Sequence, residues 1–302
     1  MQVCQNRTDL GACFGSRESV AESLSRTDIV RAVPSRRSAV PYNARGDRRV
    51  TSEKREGNGV AAAAMRGILC MFAHPDDESF GVGGVLAGYA AQGVPVDLLC
   101  ATRGQAGQLG DPPVTTREGL GAVRETALRA AGTLLGIREV IVLDYEDGTL
   151  RDVPYAPLLA IVMETYRRLR PTTVICFGPN GISGHPDHTV THRAATEAFW
   201  RSRRAVPSLQ RLYYPAIPPT FRRRGAPMGP IALGPENAPN TEVPVSPDAF
   251  AAHLAALDKH AETQQDAREM RAMLQRIKPT VGYFHRVEPP VAPGDLDHGL
   301  LP

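Results

Sequence analysis

Apolar and polar residues fall in blocks along most of this chain, and the blocks come in two lengths. Short, near-continuous apolar runs recur at GILCMFA (67–73), VPVDLLCAT (94–102), EVIVLD (139–144) and TTVICFG (172–178). Each is short and rich in Val, Ile and Leu, so each predicts a strand covered on both faces. Longer segments with helical spacing lie between them: ESFGVGGVLAGYAAQG ending at Gly93, TREGLGAVRETALRAAGTLLG closed by Gly136, and YAPLLAIVMETYRRLR stopped by Pro171. A further helix runs from His188 to about Arg203. Alternation of this kind predicts an α/β fold, a mostly parallel sheet with helices on both faces.

The arrangement is Rossmann-like, and such sheets place ligands at the carboxyl ends of strands, near the point where strand order reverses. Beyond residue 203 the pattern weakens. LQRLYYPAI predicts one more strand, and residues 218–248, rich in Pro, Gly and Arg, predict a long surface excursion. SPDAFAAHLAALDKHAETQQDAREMRAML predicts one strong helix with Ser246 as N-cap and Pro247 at its first position. Residues 288–302 predict a loose tail, and no internal repeat is present. The glycines of GVGG (81–84) are a weak echo of a dinucleotide fingerprint and read better as permitting close helix–sheet packing.

Composition changes this picture mainly at the front. Residues 1–64 lack periodicity and are rich in Arg, Ser and Gly, which predicts a disordered leader before a domain over 65–287. Met65 opens directly onto the first strand, as a protein start does, so the leader reads either as translated upstream sequence or as a basic arm or transit segment. The net charge of +3 resides there: the leader carries 11 Lys/Arg against 7 Asp/Glu, the remainder 24 against 25. That distribution removes the argument for a nucleic-acid partner. No run has the apolar length to span a membrane. The 5 cysteines are scattered, and Cys70, Cys100 and Cys176 lie inside strand-like runs, which fits reduced, buried thiols of a cytoplasmic protein.

The chemistry gathers directly after the first strand. AHPDDE sets His74, Asp76, Asp77 and Glu78 within five residues. Carboxylates packed so closely repel unless something positive sits among them, and a metal ion is the obvious candidate. After the fourth strand comes HPDH, with His185 and His188 three apart. Strands one and four of a doubly wound sheet are commonly neighbours across the switch point, so the two loops converge and predict a metal site at those strand ends. Two histidines and a carboxylate suit a catalytic zinc with one position open, and His74 and Asp77 can face one ion from a single turn. Such an ion lowers its water's pKa from 15.7 to about 7. Asp76, beside a ligand, is the candidate general base, and His185 the candidate acid or oxyanion stabiliser.

AHPDDE followed by HPDH resembles the LmbE-like/PIG-L family of metal-dependent N-deacetylases. The resemblance runs over about residues 65–203 and takes in TRGQAG (102–107), VRETALRAAGTLLGI and LDYEDGTL (143–150). It implies His74, Asp77 and His188 as zinc ligands, Asp76 as general base and His185 as its partner in catalysis. It implies Zn2+, with Fe2+ or another divalent ion compatible, and a hydrolase that removes the acetyl group from an N-acetylated amino sugar or its conjugate. The alternatives are an amidase acting on a thiol conjugate or other small acylated amine, and a metal-stabilised sugar-binding module without turnover. A spare carboxylate at Asp76 argues against mere binding. Oligomeric state is left open, a homo-oligomer included.

Other residues carry two readings. Asp187 suits a partner that orients a neighbouring histidine. Arg103 and Asp147, in strand-end loops, can grip sugar hydroxyls or simply carry surface charge. His192, four residues after His188, is an alternative helical ligand, and Glu78 reads as structural at a helix start. His253, His260 and His285 show no evident partners in the sequence. The family often has Glu where this chain has Gln105, another Glu where it has Ala127, and a His-x-Ser/Thr-Gln pattern from which KHAETQ is out of step by one. These departures bear on substrate recognition.

Overall fold

The apolar runs become β1 (Ile68–Phe72), β2 (Val96–Thr102), β3 (Glu139–Tyr145), β4 (Thr173–Cys176) and β5 (Arg211–Pro215), all parallel, in a computed structural model that describes residues 67–217, 238–292 and 295–301. The expected disordered leader, 1–64, lies outside the described residues. Two further strands, β6 (Thr241–Pro244) and β7 (Val281–Glu288), add antiparallel pairings, giving one sheet of order β3-β2-β1-β4-β5-β7-β6. The order reverses between β1 and β4, which makes the space beyond their carboxyl ends the natural ligand crevice.

Both faces of the sheet are covered, as the continuous apolar strands require. Along β1, Ile68, Cys70 and Phe72 enter one core while Leu69 and Met71 enter the other. This is the two-residue alternation of a strand with no polar face. The first core is closed by α2 (Gly83–Ala91), α3 (Leu120–Leu134) and α6 (Pro247–His260), through residues such as Leu86, Leu128 and Ala256. The second is closed by α4 (Tyr155–Leu169) and α5 (Pro186–Ser202), through Leu158, Tyr166, Ala194 and Phe199. Cys70, Cys100 and Cys176 are free thiols, all buried. No helix among the described residues is long and apolar enough to cross a membrane.

Four features differ from the sequence reading. The first expected helix is two: α1 (Asp77–Phe80) ends at Gly81, and α2 begins at Gly83. The glycines there serve a helix rather than the sheet, since a Cβ on Gly83 would stand 2.7 Å from the ring of His253 on α6. The long C-terminal helix is also two, α6 and α7 (Gln265–Ile277), separated where Thr263 and Gln264 are buried. Ser246 does cap α6, accepting from Ala249 N–H at 3.2 Å, with Pro247 in the first turn. Within the expected excursion 218–248, residues 218–237 are not among those described, but 241–244 form β6. Neither β6 nor β7 announces itself by apolar alternation, because pairing across the sheet and not a buried face on both sides organises them.

The expected loose tail is packed over residues 295–301. Leu300 is fully buried in the first core, its N–H donates to Tyr89 OH at 2.7 Å, and its carbonyl accepts from Thr173 Oγ1 at 2.6 Å. Asp297 accepts from Arg286 Nη1 at 2.8 Å and from Tyr213 OH at 3.1 Å. Leu300→Ala should therefore cost about 2–5 kcal/mol in denaturant-induced unfolding, as for other buried leucines. A loose tail would leave stability within about 0.5 kcal/mol.

Candidate metal centre

His74 follows β1 by two residues and its ring is fixed from both sides. Its Nε2 lies 2.9 Å from Asp147 Oδ1 and 3.2 Å from Asp187 Oδ2. Those oxygens accept only, so Nε2 carries the proton and the Nδ1 lone pair faces the other way. His188, in the first turn of α5, donates from Nδ1 to the Gly181 carbonyl at 2.9 Å, which turns its Nε2 lone pair toward His74. The two free nitrogens stand 3.2 Å apart. Phe177 stacks under the His188 ring at 4.0 Å, holding its plane.

Asp77 completes a triangle with them. Its Oδ2 is 3.7 Å from His74 Nδ1 and its Oδ1 is 3.4 Å from His188 Nε2. Oδ2 also accepts the backbone N–H groups of Ala73 and His74, at 3.2 and 2.8 Å. Ligands at 2.0–2.2 Å around a tetrahedral ion stand about 3.3–3.6 Å apart, a spacing near that between the two nitrogens and between each nitrogen and one oxygen of the Asp77 carboxylate. Two other groups bring ligand atoms within 4.8 Å of one another among the described residues: His74 with His185 and His188, and His74 with Asp147 and Asp187. The second uses the His74 nitrogen that is already donating. Its carboxylates are occupied too: Asp187 accepts from Gly148 N–H at 2.7 Å and Leu150 N–H at 3.1 Å, and Asp147 accepts from Ala106 N–H at 3.0 Å. Their contacts with Nε2 fix the orientation of the His74 ring.

Charge is distributed unevenly over this group. Burial opposes a proton on His74, but the hydrogen bonds to Asp147 and Asp187 outweigh it and raise the pKa to about 10. Burial and the neighbouring His74 charge push His188 down to about 4. The proton between the two rings therefore sits on His74. Burial likewise lifts Asp76, against the pull of Arg124, to about 6. His185 caps α5, its Nδ1 accepting from Asp187 N–H at 3.2 Å, which leaves the proton of the neutral ring on Nε2. Burial and the nearby His74 and His188 hold its pKa below the ordinary value.

Asp76 has a backbone φ of 120°, a left-handed conformation that costs a non-glycine residue of order 1–3 kcal/mol unless its surroundings impose it. The surroundings are Arg124 and Glu78. Arg124 donates to the Pro75 carbonyl at 2.6 Å, to Asp76 Oδ2 at 2.9 Å and to the Gly104 carbonyl at 2.8 Å. Gly104 has φ +68°, and a Cβ there would fall 2.0 Å from the guanidinium, so the glycine of TRG is what admits Arg124. Glu78 Oε2 accepts the Asp76 N–H at 3.1 Å, while its Oε1 pairs with His260 Nε2 at 2.8 Å, both side chains almost fully buried.

Several expectations meet their positions here. His74, Asp76, Asp77, Asp147, His185 and His188 all line one cavity of about 580 Å³, and Asp187 lies buried behind it. Arg103 does not line it; its guanidinium is ion-paired to Glu125 at 3.0 Å and Asp144 at 3.4 Å. His192 donates to or accepts nothing at the metal group and instead sits 2.8 Å from the Phe177 carbonyl. Gln105 accepts from Arg103 N–H at 3.2 Å and donates to the Tyr145 carbonyl at 3.2 Å, a double role that a glutamate could not fill. Sequence reasoning missed Arg124, although a lone arginine between Leu120 and Leu128 on the buried stripe of α3 was a readable signal. It also found no partner for His260 and His253, which join Glu78 and the Ser79 carbonyl. Nothing local in the sequence marks those pairings.

The fold is that of an α/β protein with its ligand crevice at the β1–β4 switch point, and the chain belongs to the PIG-L family, described as GlcNAc-PI de-N-acetylase, whose match spans residues 69–199. It is 39% identical over 135 residues to a protein named probable N-acetyl-alpha-D-glucosaminyl L-malate deacetylase 2 from Bacillus anthracis, covering 44% of this chain and 59% of that one. It is 30% identical over 213 residues to the 1D-myo-inositol 2-acetamido-2-deoxy-alpha-D-glucopyranoside deacetylase of Thermobifida fusca, covering 60% and 73%. Among solved structures, the 4-carboxy-2-hydroxymuconate hydratase of Pseudomonas putida KT2440 shares the fold, with a TM-score of 0.58 at 19% identity over 76% of this chain and 98% of that one. The chain spans about three fifths of the length of several curated relatives it matches.

The buried Glu78–His260 pair yields a direct test. Removing one partner of such a pair leaves an uncompensated group, so His260→Ala should destabilise the protein by about 3–5 kcal/mol. The attraction of Glu78 raises the His260 pKa against burial, and His260 lowers that of Glu78. The pair's contribution is thus lost as pH rises through the folded value of His260, or falls through that of Glu78. Urea unfolding of wild type and variant near neutral pH checks the magnitude.

Proposed function

We propose that this chain is a metal-dependent N-deacetylase acting on an N-acetylated amino sugar or its conjugate. The observation that carries the reading is the convergence of His74 Nδ1, His188 Nε2 and the Asp77 carboxylate, the nitrogens 3.2 Å apart and each 3.4–3.7 Å from one carboxylate oxygen, with a part-buried, arginine-held carboxylate beside them. Two histidines and a carboxylate suit Zn2+, and the same donor set is compatible with Fe2+. The names of the relatives, deacetylases of N-acetylglucosaminyl malate and of an inositol conjugate, supply the substrate class.

When bound, the ion supplies Lewis acidity and acidifies a water at its open position. The chain does the rest. Asp76 accepts the proton of the attacking water; Arg124 holds the carboxylate at a fixed angle. As the tetrahedral centre forms, His185 is placed to donate a hydrogen bond from Nε2 to the developing oxyanion, and the proton taken up by Asp76 passes to the departing nitrogen. The C–N bond breaks, releasing acetate and the free amine. Asp147 and Asp187 act through His74 by keeping its Nδ1 lone pair available.

Purified protein should hold about one zinc-like ion per chain, measured by plasma emission, and Ala at His74, Asp77 or His188 should strip it. Asp187→Ala should weaken metal binding by about 10–100-fold, as loss of an outer partner does. Full acetate release by metal-free protein would overturn the reading. Asp76→Asn should keep metal and fold yet lose at least about 10²-fold in kcat, and His185→Ala should lower kcat more than it raises KM. Unchanged turnover in Asp76→Asn would place the base elsewhere.

A further inference from the structure

The cavity over the candidate metal centre has one end built mainly of apolar side chains. Away from His74, Asp76 and His188 its walls are Phe80, Ile217, Phe250, Met270, Met273 and Leu274, drawn from α1, the segment after β5, α6 and α7. Met273 and Leu274 are buried in a small core with Phe80, Phe250 and Met270 packed against it, so the chamber is built into the fold. Two carboxylates, Asp266 and Glu269, stand exposed on α7 at the lining and disfavour an anionic occupant. Where the polar and apolar parts meet, Gln264 is 6% exposed and its Nε2 has no hydrogen-bond partner among the described residues. A buried amide donor without a partner is costly unless an occupant supplies an oxygen.

The relatives named above share the N-acetylglucosaminyl unit and the acetyl group, and differ in what the sugar is attached to: malate in one, inositol in the other. The attached group is thus the variable part, and here the space continuous with the metal centre is apolar. On the reading of the preceding subsection, we infer that this chain's substrate is an N-acetylated amino sugar whose aglycone is an alkyl or aryl group, seated against α7 and Phe250, with a sugar or glycosidic oxygen accepting from Gln264 Nε2. An aglycone of malate type would set its carboxylates against an apolar wall beside Asp266 and Glu269. Flexible methionines at 270 and 273 suit a wall that adapts to chains of differing shape.

The test uses the metal-loaded full chain and two series. Acetate release is measured from methyl, butyl, hexyl and octyl glycosides of N-acetylglucosamine, with the malate and inositol conjugates alongside. Binding of the corresponding alkyl glucosides, which carry no amide, is measured by calorimetry. Burial of a methylene is worth about fourfold in affinity, and with partial burial kcat/KM should rise at least about twofold per carbon, or about 30-fold from methyl to hexyl. The glucosides should tighten in parallel. Met270→Lys should abolish most of that increase while changing the methyl glycoside less than about threefold, and Met270→Ala, with metal content and melting temperature measured for both, guards against a folding defect. A flat chain-length series in both measurements overturns the inference. So does preference for the malate conjugate. Silence of every amide with metal intact would instead overturn the deacetylase reading, and the glucoside binding series would still decide what the chamber accepts.

Discussion

Three consecutive carboxylates at the end of the central strand set the terms for everything around them. Asp76, Asp77 and Glu78 emerge from β1 at the crevice, and each needs its own source of positive charge or hydrogen bonds because burial, complete at Glu78 and partial at the other two, leaves little solvent to screen their repulsion. The chain answers with three different elements. Asp76 takes Arg124 from α3, Asp77 faces His188 from α5, and Glu78 takes His260 from α6. Three consecutive residues thereby tie together both layers of helices at the switch point. The strained backbone at Asp76 is held by two of those ties.

The same arrangement explains why the nitrogen lone pairs are presented as they are. A histidine can offer one lone pair to a cation only if its other nitrogen is satisfied as a donor. His74 meets that condition through two acids from different loops, and Asp187 in turn accepts the backbone of the loop after β3. The loops after β1 and β3 are therefore coupled to the start of α5 through side-chain contacts, so a change at Leu150 or Gly148 reaches His74 through Asp187. Asp187 is fully buried, with its oxygens committed to these partners.

Family membership and geometry answer different questions here. The family match covers the half of the domain that carries the metal group, residues 69–199. The apolar wall of the cavity comes chiefly from residues beyond it, in α6, α7 and β7. That a hydratase shares the fold shows that the sheet alone does not choose the chemistry.

Much of the parallel sheet was legible because buried strands must be continuously apolar and the helices between them must be amphipathic; both are local rules. The two charged motifs were legible for the same reason, since their residues are adjacent in sequence and their strand ends follow from topology. Arg124 was half legible, as a charge on an apolar stripe. The breaks between α1 and α2 and between α6 and α7, the edge strands β6 and β7, the packed tail around Leu300 and the Glu78–His260 pair were not. These depend on which residues meet after the chain has closed on itself: His253 against Gly83, His260 against Glu78, Leu300 against Thr173 and Tyr89. By itself the sequence determined the chemical groups, their strand ends and the faces that had to be buried. Tertiary structure decided which charge neutralises which, and where the apolar chamber lies. Burial makes unpaired charges costly, and their partners lie up to 182 residues apart in the chain.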